Sequence, residues 1–127
     1  MSPWRTPISC YVSPAGNNKI AEWYQALSSL ERTDADVFLR NMRKSGDWSW
    51  PFYRPKLSGH RGLGELRWKS ENKQHRLVGF FHQGKWCALI GCTHKQNIYA
   101  PADALDTAER RHREVKAGNV TTEDYDL

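Results

Sequence analysis

The sequence is poor in cysteine. Its three cysteines (Cys10, Cys87 and Cys92) are an odd number without CxxC spacing, so neither a disulfide framework nor a zinc-ligand pattern is indicated. Cys87 and Cys92 fall in an apolar stretch, where buried free thiols are expected, and that usage fits a reducing, cytoplasmic setting. No apolar run approaches the roughly 20 residues of a membrane-spanning helix, and the N-terminus has no signal-peptide core. Internal repeats and low-complexity tracts are absent. Acids are the remaining shortage: 14 Asp and Glu stand against 19 Lys and Arg, for a formal charge of +5. That excess favours an anionic partner: RNA, DNA or an acidic protein.

The 127 residues with 39% hydrophobic content predict one domain over 1–127, large enough to bury a core without staples. Aromatics make up 12% and include six Trp, which argues against general disorder. The stretch from Lys56 to Lys95 organises the rest. It reads as a loop and then a three-strand antiparallel meander over 64–70, 75–82 and 85–93. Two apolar runs, Leu77–Phe81 and Trp86–Ile90, flank the turn at Gln83-Gly84, which is a hairpin signal. Side chains alternate along a strand, so Arg67 and Lys69 share one face while Leu66 and Trp68 share the other. Lys56, Arg61, Arg67, Lys69, His75, Arg76, His94 and Lys95 lie in or beside this sheet, opposed only by Glu65 and Glu71. The expected sheet has one apolar face and one cationic, His-bearing face suited to a polyanion.

Before the meander, 8–12 is expected as a strand at or beside a sheet edge, ended by the turn residues of 13–17. Asn17 or Asn18 then caps a helix whose stripe is Ile20, Trp23, Tyr24, Leu27 and Leu30. Thr33 and Asp36 suggest a second cap, for a helix with Val37, Phe38 and Met42 on its apolar face. The two helices should form a hairpin against the sheet. The segment 45–55 is a crossover. Its Trp48, Trp50, Phe52 and Tyr53 are expected in the core, with a base-stacking platform as the alternative. After the meander, Pro101 suits the first turn of a last helix with Ala104, Leu105 and Ala108 inward and Gly118 as its stop. Residues 1–5 are expected to be a loose terminus. The acidic tail, 119–127, is either disordered or folded back near the cationic face. The fold class is α+β, in the order β-α-α-β-β-β-α, with helices on one side of an antiparallel sheet.

KLSGHRGLGELRW, HRLVGFF, a strand ending GCTHK, then Tyr-Ala-Pro and a helix carrying Ala108-Glu109-Arg110-Arg111 resemble the RelE/ParE toxin superfamily. The nearest likeness is to the HigB-like, phage-derived toxins of type II toxin–antitoxin systems. The resemblance implies a RelE-like fold and a ribosome-dependent mRNA endonuclease. Such enzymes use no metal or cofactor and cut by attack of the RNA's own 2′-hydroxyl. It implies the ribosome, mRNA and a cognate antitoxin as partners. It makes Arg76 the clamp on the scissile phosphate, with Arg67 and Lys69 adding charge. His94 and Lys95 fall where many relatives carry Lys-Lys, and the histidine suits proton transfer near neutral pH. Tyr99 is expected to stack on a base or assist proton transfer, and Asp124 and Tyr125 to reach the site from the tail. Lys56, His60 and Arg61, in or beside the Gly-rich loop, are candidate RNA contacts. His75 and His82 read as bystanders and His112 as structural. Two other readings stay open: a ParE-like gyrase inhibitor, and an inactive prophage binding module.

Overall fold

The computed structural model describes residues 4–126. The elements are β1 (Ile8–Tyr11), α1 (Lys19–Gln25), α2 (Ser29–Lys44), β2 (Tyr53–Arg54), β3 (Gly64–Ser70), β4 (Lys73–His82), β5 (Lys85–Lys95), β6 (Ile98–Ala100), α3 (Ala104–Lys116) and β7 (Thr122–Asp124). The architecture is mixed α+β, with three helices and one seven-stranded sheet. The sheet runs β2-β3-β4-β5-β1-β7, with β6 also paired to β5. Three short strands, β2, β6 and β7, are additions to the expected order.

The meander forms as the alternation predicts, and β3 has the expected bounds. Its hairpins turn on Glu71-Asn72 and Gln83-Gly84, and a third, between β5 and β6, turns on Gln96-Asn97. All six residues have positive φ, between 51° and 79°. Two left-handed residues in a two-residue loop match the right-handed twist of the flanking strands. The sheet is not purely antiparallel, because β1 pairs with β5 in parallel (Ile8 opposite Trp86, Cys10 opposite Ala88).

The helical hairpin divides earlier than the apolar stripe suggested. Asn18 Oδ1 accepts from the Ile20 and Ala21 amides and starts α1. That helix ends at Gln25, so Leu27 lies in the connection and Leu30 belongs to α2, where it is exposed. A capping box at Ser28 and Glu31 starts α2, five residues before the expected cap at Thr33. Thr33 instead lies within α2, its hydroxyl bonded to the Ser29 carbonyl. Val37 is exposed, while Leu39 and Met42 carry the buried face. Pro101 precedes α3, and its carbonyl accepts from the Ala104 amide.

The helices do not share one side. Ile20, Leu39 and Met42 pack with Leu66, Leu77, Trp86 and Ala88 on one face of the sheet. Ala104, Ala108 and Val115 pack with Val78, Phe80, Cys87 and Leu89 on the other. Neighbours in sequence, Leu77 and Val78 or Cys87 and Ala88, thus enter different cores. The three cysteines are buried free thiols, and burial raises all three pKa values, that of Cys87 to about 11.

The tail is ordered over its described residues, and this overturns both expectations for it. β7 pairs with β1, Ser9 lying opposite Asp124. The Tyr125 ring is buried, and its carbonyl accepts from Arg43 Nη1 at 3.1 Å. The Arg43 guanidinium also lies 4.2 Å over the Trp4 ring. The expected loose terminus therefore fails at Trp4, and its residues 1–3 lie outside the described ones.

A β-bulge separates Val78 from Gly79. A Cβ on Gly79 would run into the Cys87 carbonyl oxygen and the Trp86 ring. Gly79→Ala should therefore destabilise by about 1–3 kcal/mol, because backbone on the neighbouring strand cannot yield as a side chain would. A thermal melt equal to that of the parent would contradict this packing.

Candidate active site

At one end of the sheet, on the face α3 leaves bare, two rows of side chains run across the strands. Arg67 on β3 lies opposite Arg76 on β4, which lies opposite Cys92 on β5. In the next row Lys69 pairs with Gln74, Gln74 with His94, and His94 with Tyr99 on β6. The turns Glu71-Asn72 and Gln96-Asn97 close this end. Arg67, Lys69, Arg76, His94 and Lys95 line a cleft of about 700 Å³, and Lys73 and Gln74 add to its wall. The cationic face of the sequence reading is thus half a face; the other half is the apolar bed of α3.

Glu65, 1% exposed, sits at the seam between the halves. Its Oε1 is 3.4 Å from Arg67 Nη1 and 3.7 Å from Arg76 Nε. Its Oε2 accepts a 2.7 Å hydrogen bond from the Tyr99 hydroxyl. A buried carboxylate between two guanidiniums offsets their repulsion and fixes their heads. Arg76 is buried too, and its Nη1 donates to the His75 carbonyl at 2.9 Å. Burial, then the neighbouring Arg67, pull the Arg76 pKa below its ordinary value. Burial and the hydrogen bond to Glu65 push the Tyr99 phenol up, so it keeps its proton and serves as a donor. The His94 ring lies 4.7 Å from the Tyr99 ring. Its pKa is lowered, first by burial and then by Arg76, which leaves the imidazole neutral at pH 7.

Other predicted residues lie elsewhere. Lys56, His60 and Arg61 form a loop beside α3, with His60 Nδ1 3.0 Å from Glu109 Oε1. None of the three lines the Arg76 cleft. Asp124 lies on β7, two strands beyond β5, and pairs with Lys85 at 2.6 Å. Tyr125 packs into the core under α2. Neither reaches the cleft, because β1 needs a partner on its outer edge and the tail supplies it. His75 does not line the cleft; it is a packed core residue, 1% exposed, stacked on Trp68, with Nε2 3.2 Å from Glu31 Oε2. The residue the sequence reading missed is Glu65. Its place two positions before Arg67 on the same strand was the available signal, since i and i+2 share a face.

Burial lowers the pKa values of His75, His94 and His112, with Glu31 opposing at His75 and Lys116 assisting at His112. These groups are neutral when folded, and the unfolded chain binds their protons from about pH 6.5 downward. Their contribution to stability is complete above that pH and is lost as pH falls through the lowered values. Melting temperature should therefore drop between pH 7 and 5, and His75→Gln should flatten part of that slope. A profile independent of pH across this window would contradict the assignment.

Among the described residues no group of three His, Cys, Asp or Glu side chains is arranged to hold a metal ion, and no helix is long and apolar enough to cross a membrane. Neither a curated protein nor a solved structure matches the chain at a significant level. A family model does match, over residues 22–113, a span running from α1 into α3 that includes every residue lining the cleft. Its description is phage-derived protein Gp49-like (DUF891). This is a RelE-like toxin family, generally associated with the toxins of toxin–antitoxin systems. A match over most of the chain places it: the protein belongs to the Gp49-like phage-derived family.

Proposed function

We propose that this chain is a HigB-like toxin of a type II toxin–antitoxin system, a single RelE-like domain that cleaves mRNA on the ribosome. The observation that carries the reading is the cleft itself: Arg67 and Arg76 fixed by a buried carboxylate, with a neutral His94 and the Lys69 and Lys95 ammoniums around them. A phosphodiester has the complementary charge, and its cleavage needs these kinds of group.

In the proposed step the 2′-oxygen of one ribose attacks the adjacent phosphorus. The O2′–P bond forms and the P–O5′ bond breaks, leaving a 2′,3′-cyclic phosphate and a 5′-hydroxyl. His94, uncharged at neutral pH, takes the 2′-hydroxyl proton. The two guanidiniums bind the non-bridging oxygens as charge builds on them. The exposed Lys95 ammonium gives its proton to the departing O5′, and the proton that His94 took from the 2′-hydroxyl returns to the Lys95 amine through solvent. Tyr99, committed to Glu65, positions that carboxylate and the His94 ring rather than transferring protons. A cognate antitoxin with an acidic segment would neutralise the same cleft.

Purified protein added to programmed ribosomes should cut the message. His94→Gln should lower the rate about 10²–10⁴-fold, the usual worth of a positioned general base. With the wild type, the rate should rise with pH and level off below pH 6.5, because the His94 pKa is depressed. An intact message at saturating protein would sink the nuclease reading.

A further inference from the structure

Of the four aromatics between α2 and β3, two are committed to packing and two are not. Trp48 packs against Tyr53 and Trp86, and its indole N–H donates to the Met42 carbonyl at 3.0 Å. Tyr53 is buried. Trp50 is 65% exposed and Phe52 47% exposed. Exposing two large rings in one short segment is costly unless they meet something, since apolar area removed from water is the main favourable term in folding.

Their surroundings say what they meet. The Arg67 guanidinium stacks 4.2 Å from the centre of the Trp50 ring, and the Arg67 amide donates to the Phe52 carbonyl at 2.9 Å. The segment is thus tied to β3 at the residue that also enters the cationic cleft. β2 pairs with Leu66 and Glu65 and the Phe52 carbonyl takes the Arg67 amide, so the edge of β3 beyond Arg67 pairs with no strand among the described residues. Over that edge lies a trough of about 360 Å³ lined by Phe38, Pro51, Phe52 and Trp68. Arg67, Lys69, Gln74 and Arg76 line both trough and cleft. An aromatic surface continuous with a cationic one fits a flexible polyanion that carries flat apolar groups.

We propose that Trp50 and Phe52 form a base-stacking subsite for single-stranded RNA, holding a nucleobase next to the phosphate bound by Arg67 and Arg76. Base–aromatic stacking tolerates any sequence, because every base has a π-face. The Arg67 guanidinium on one side of the indole makes a layered cation–π arrangement that a base can extend. The subsite would orient the strand relative to His94 without reading a particular codon.

This inference rests on the cleft's being an RNA site, and its test is kept apart from turnover. The probe is a short single-stranded oligoribonucleotide with 2′-O-methyl riboses, which cannot cleave itself, and its abasic counterpart. Binding to the full chain is read by anisotropy of a label on the oligonucleotide. Trp50→Ala and Phe52→Ala should each weaken the base-bearing strand about 5- to 150-fold, the equivalent of one stacked base, and leave the abasic strand unchanged. Trp50→Leu keeps apolar bulk and should still lose affinity, which guards against a misfolded alanine variant. Equal affinity of the wild type for both strands, variants that bind like the wild type, or no binding at all overturns the inference. So does a loss confined to an acidic peptide such as oligoglutamate, which would mark a protein-docking surface. A protein that cuts messages but is indifferent to bases refutes only the subsite. One that stacks bases through Trp50 yet leaves the message on programmed ribosomes intact refutes only the nuclease.

Discussion

Arg76→Ala should abolish detectable mRNA cleavage, lowering kcat/KM by on the order of 10³-fold. Arg76 lies between Arg67 on β3 and Cys92, two register positions before His94, on β5. Its burial makes its charge more effective on a bound phosphate than an exposed arginine would be. Arg76→Lys separates charge from shape. It keeps a cation but loses the fork that holds two oxygens at once, so most of the activity should still be lost. Single-turnover cleavage on programmed ribosomes reads both variants, with the melting temperature as a check on folding. A lysine variant as active as the wild type would reduce Arg76 to a point charge. An alanine variant that still cleaves at the wild-type rate would remove it from the site.

Glu65→Ala should have the largest effect on stability. It removes the carboxylate that faces Arg67, Arg76 and Tyr99, leaving two guanidiniums and a phenol without their shared partner. Breaking a buried ion pair from one side costs about 3–5 kcal/mol, because the remaining charge stays desolvated. Glu65→Gln keeps the volume and a hydrogen bond to Tyr99 but not the charge, and should fall between. Denaturant melts of the three proteins test this. Glu65→Ala within about 1 kcal/mol of the wild type would mean that water or the free cleft already screens the arginines. The same variant should lose cleavage more steeply than stability alone explains, since the arginine heads are no longer held in one arrangement.

The central meander was legible because its signals are local. Alternation, the Gln83-Gly84 turn and the apolar runs all act between chain neighbours, and β3 emerged with the expected bounds. The same runs also show that the helices cannot all lie on one side. Leu77–Phe81 and Trp86–Ile90 are continuous rather than alternating, the mark of strands covered on both faces. Read that way, they call for a helix on each side, which is where α3 lies. The helical hairpin was misdivided because Leu27 and Leu30 extend an apolar stripe across a boundary that Ser28 and Glu31 set more firmly. β2, β6 and β7 are two or three residues each, and their existence depends on partners distant in sequence. No local pattern announces them. In the site, Arg67, Lys69, Arg76 and His94 converge because strand register carries them there, Lys95 joins from the last position of β5 and Tyr99 through its bond to Glu65. Asp124 and Tyr125 do not, because the outer edge of β1 claims the tail. Glu65 is easily passed over in the sequence, because one acid among many cations reads as opposition rather than as the group that orders them.

The most direct test is the chemistry of the cut ends. Wild-type protein, ribosomes programmed with a defined message, and end-group analysis of the fragments suffice. The account predicts a 2′,3′-cyclic phosphate, or the 3′-phosphate it opens to, on the upstream fragment and a 5′-hydroxyl on the downstream one. Fragments ending in a 3′-hydroxyl and a 5′-phosphate, or a message left whole, would contradict it.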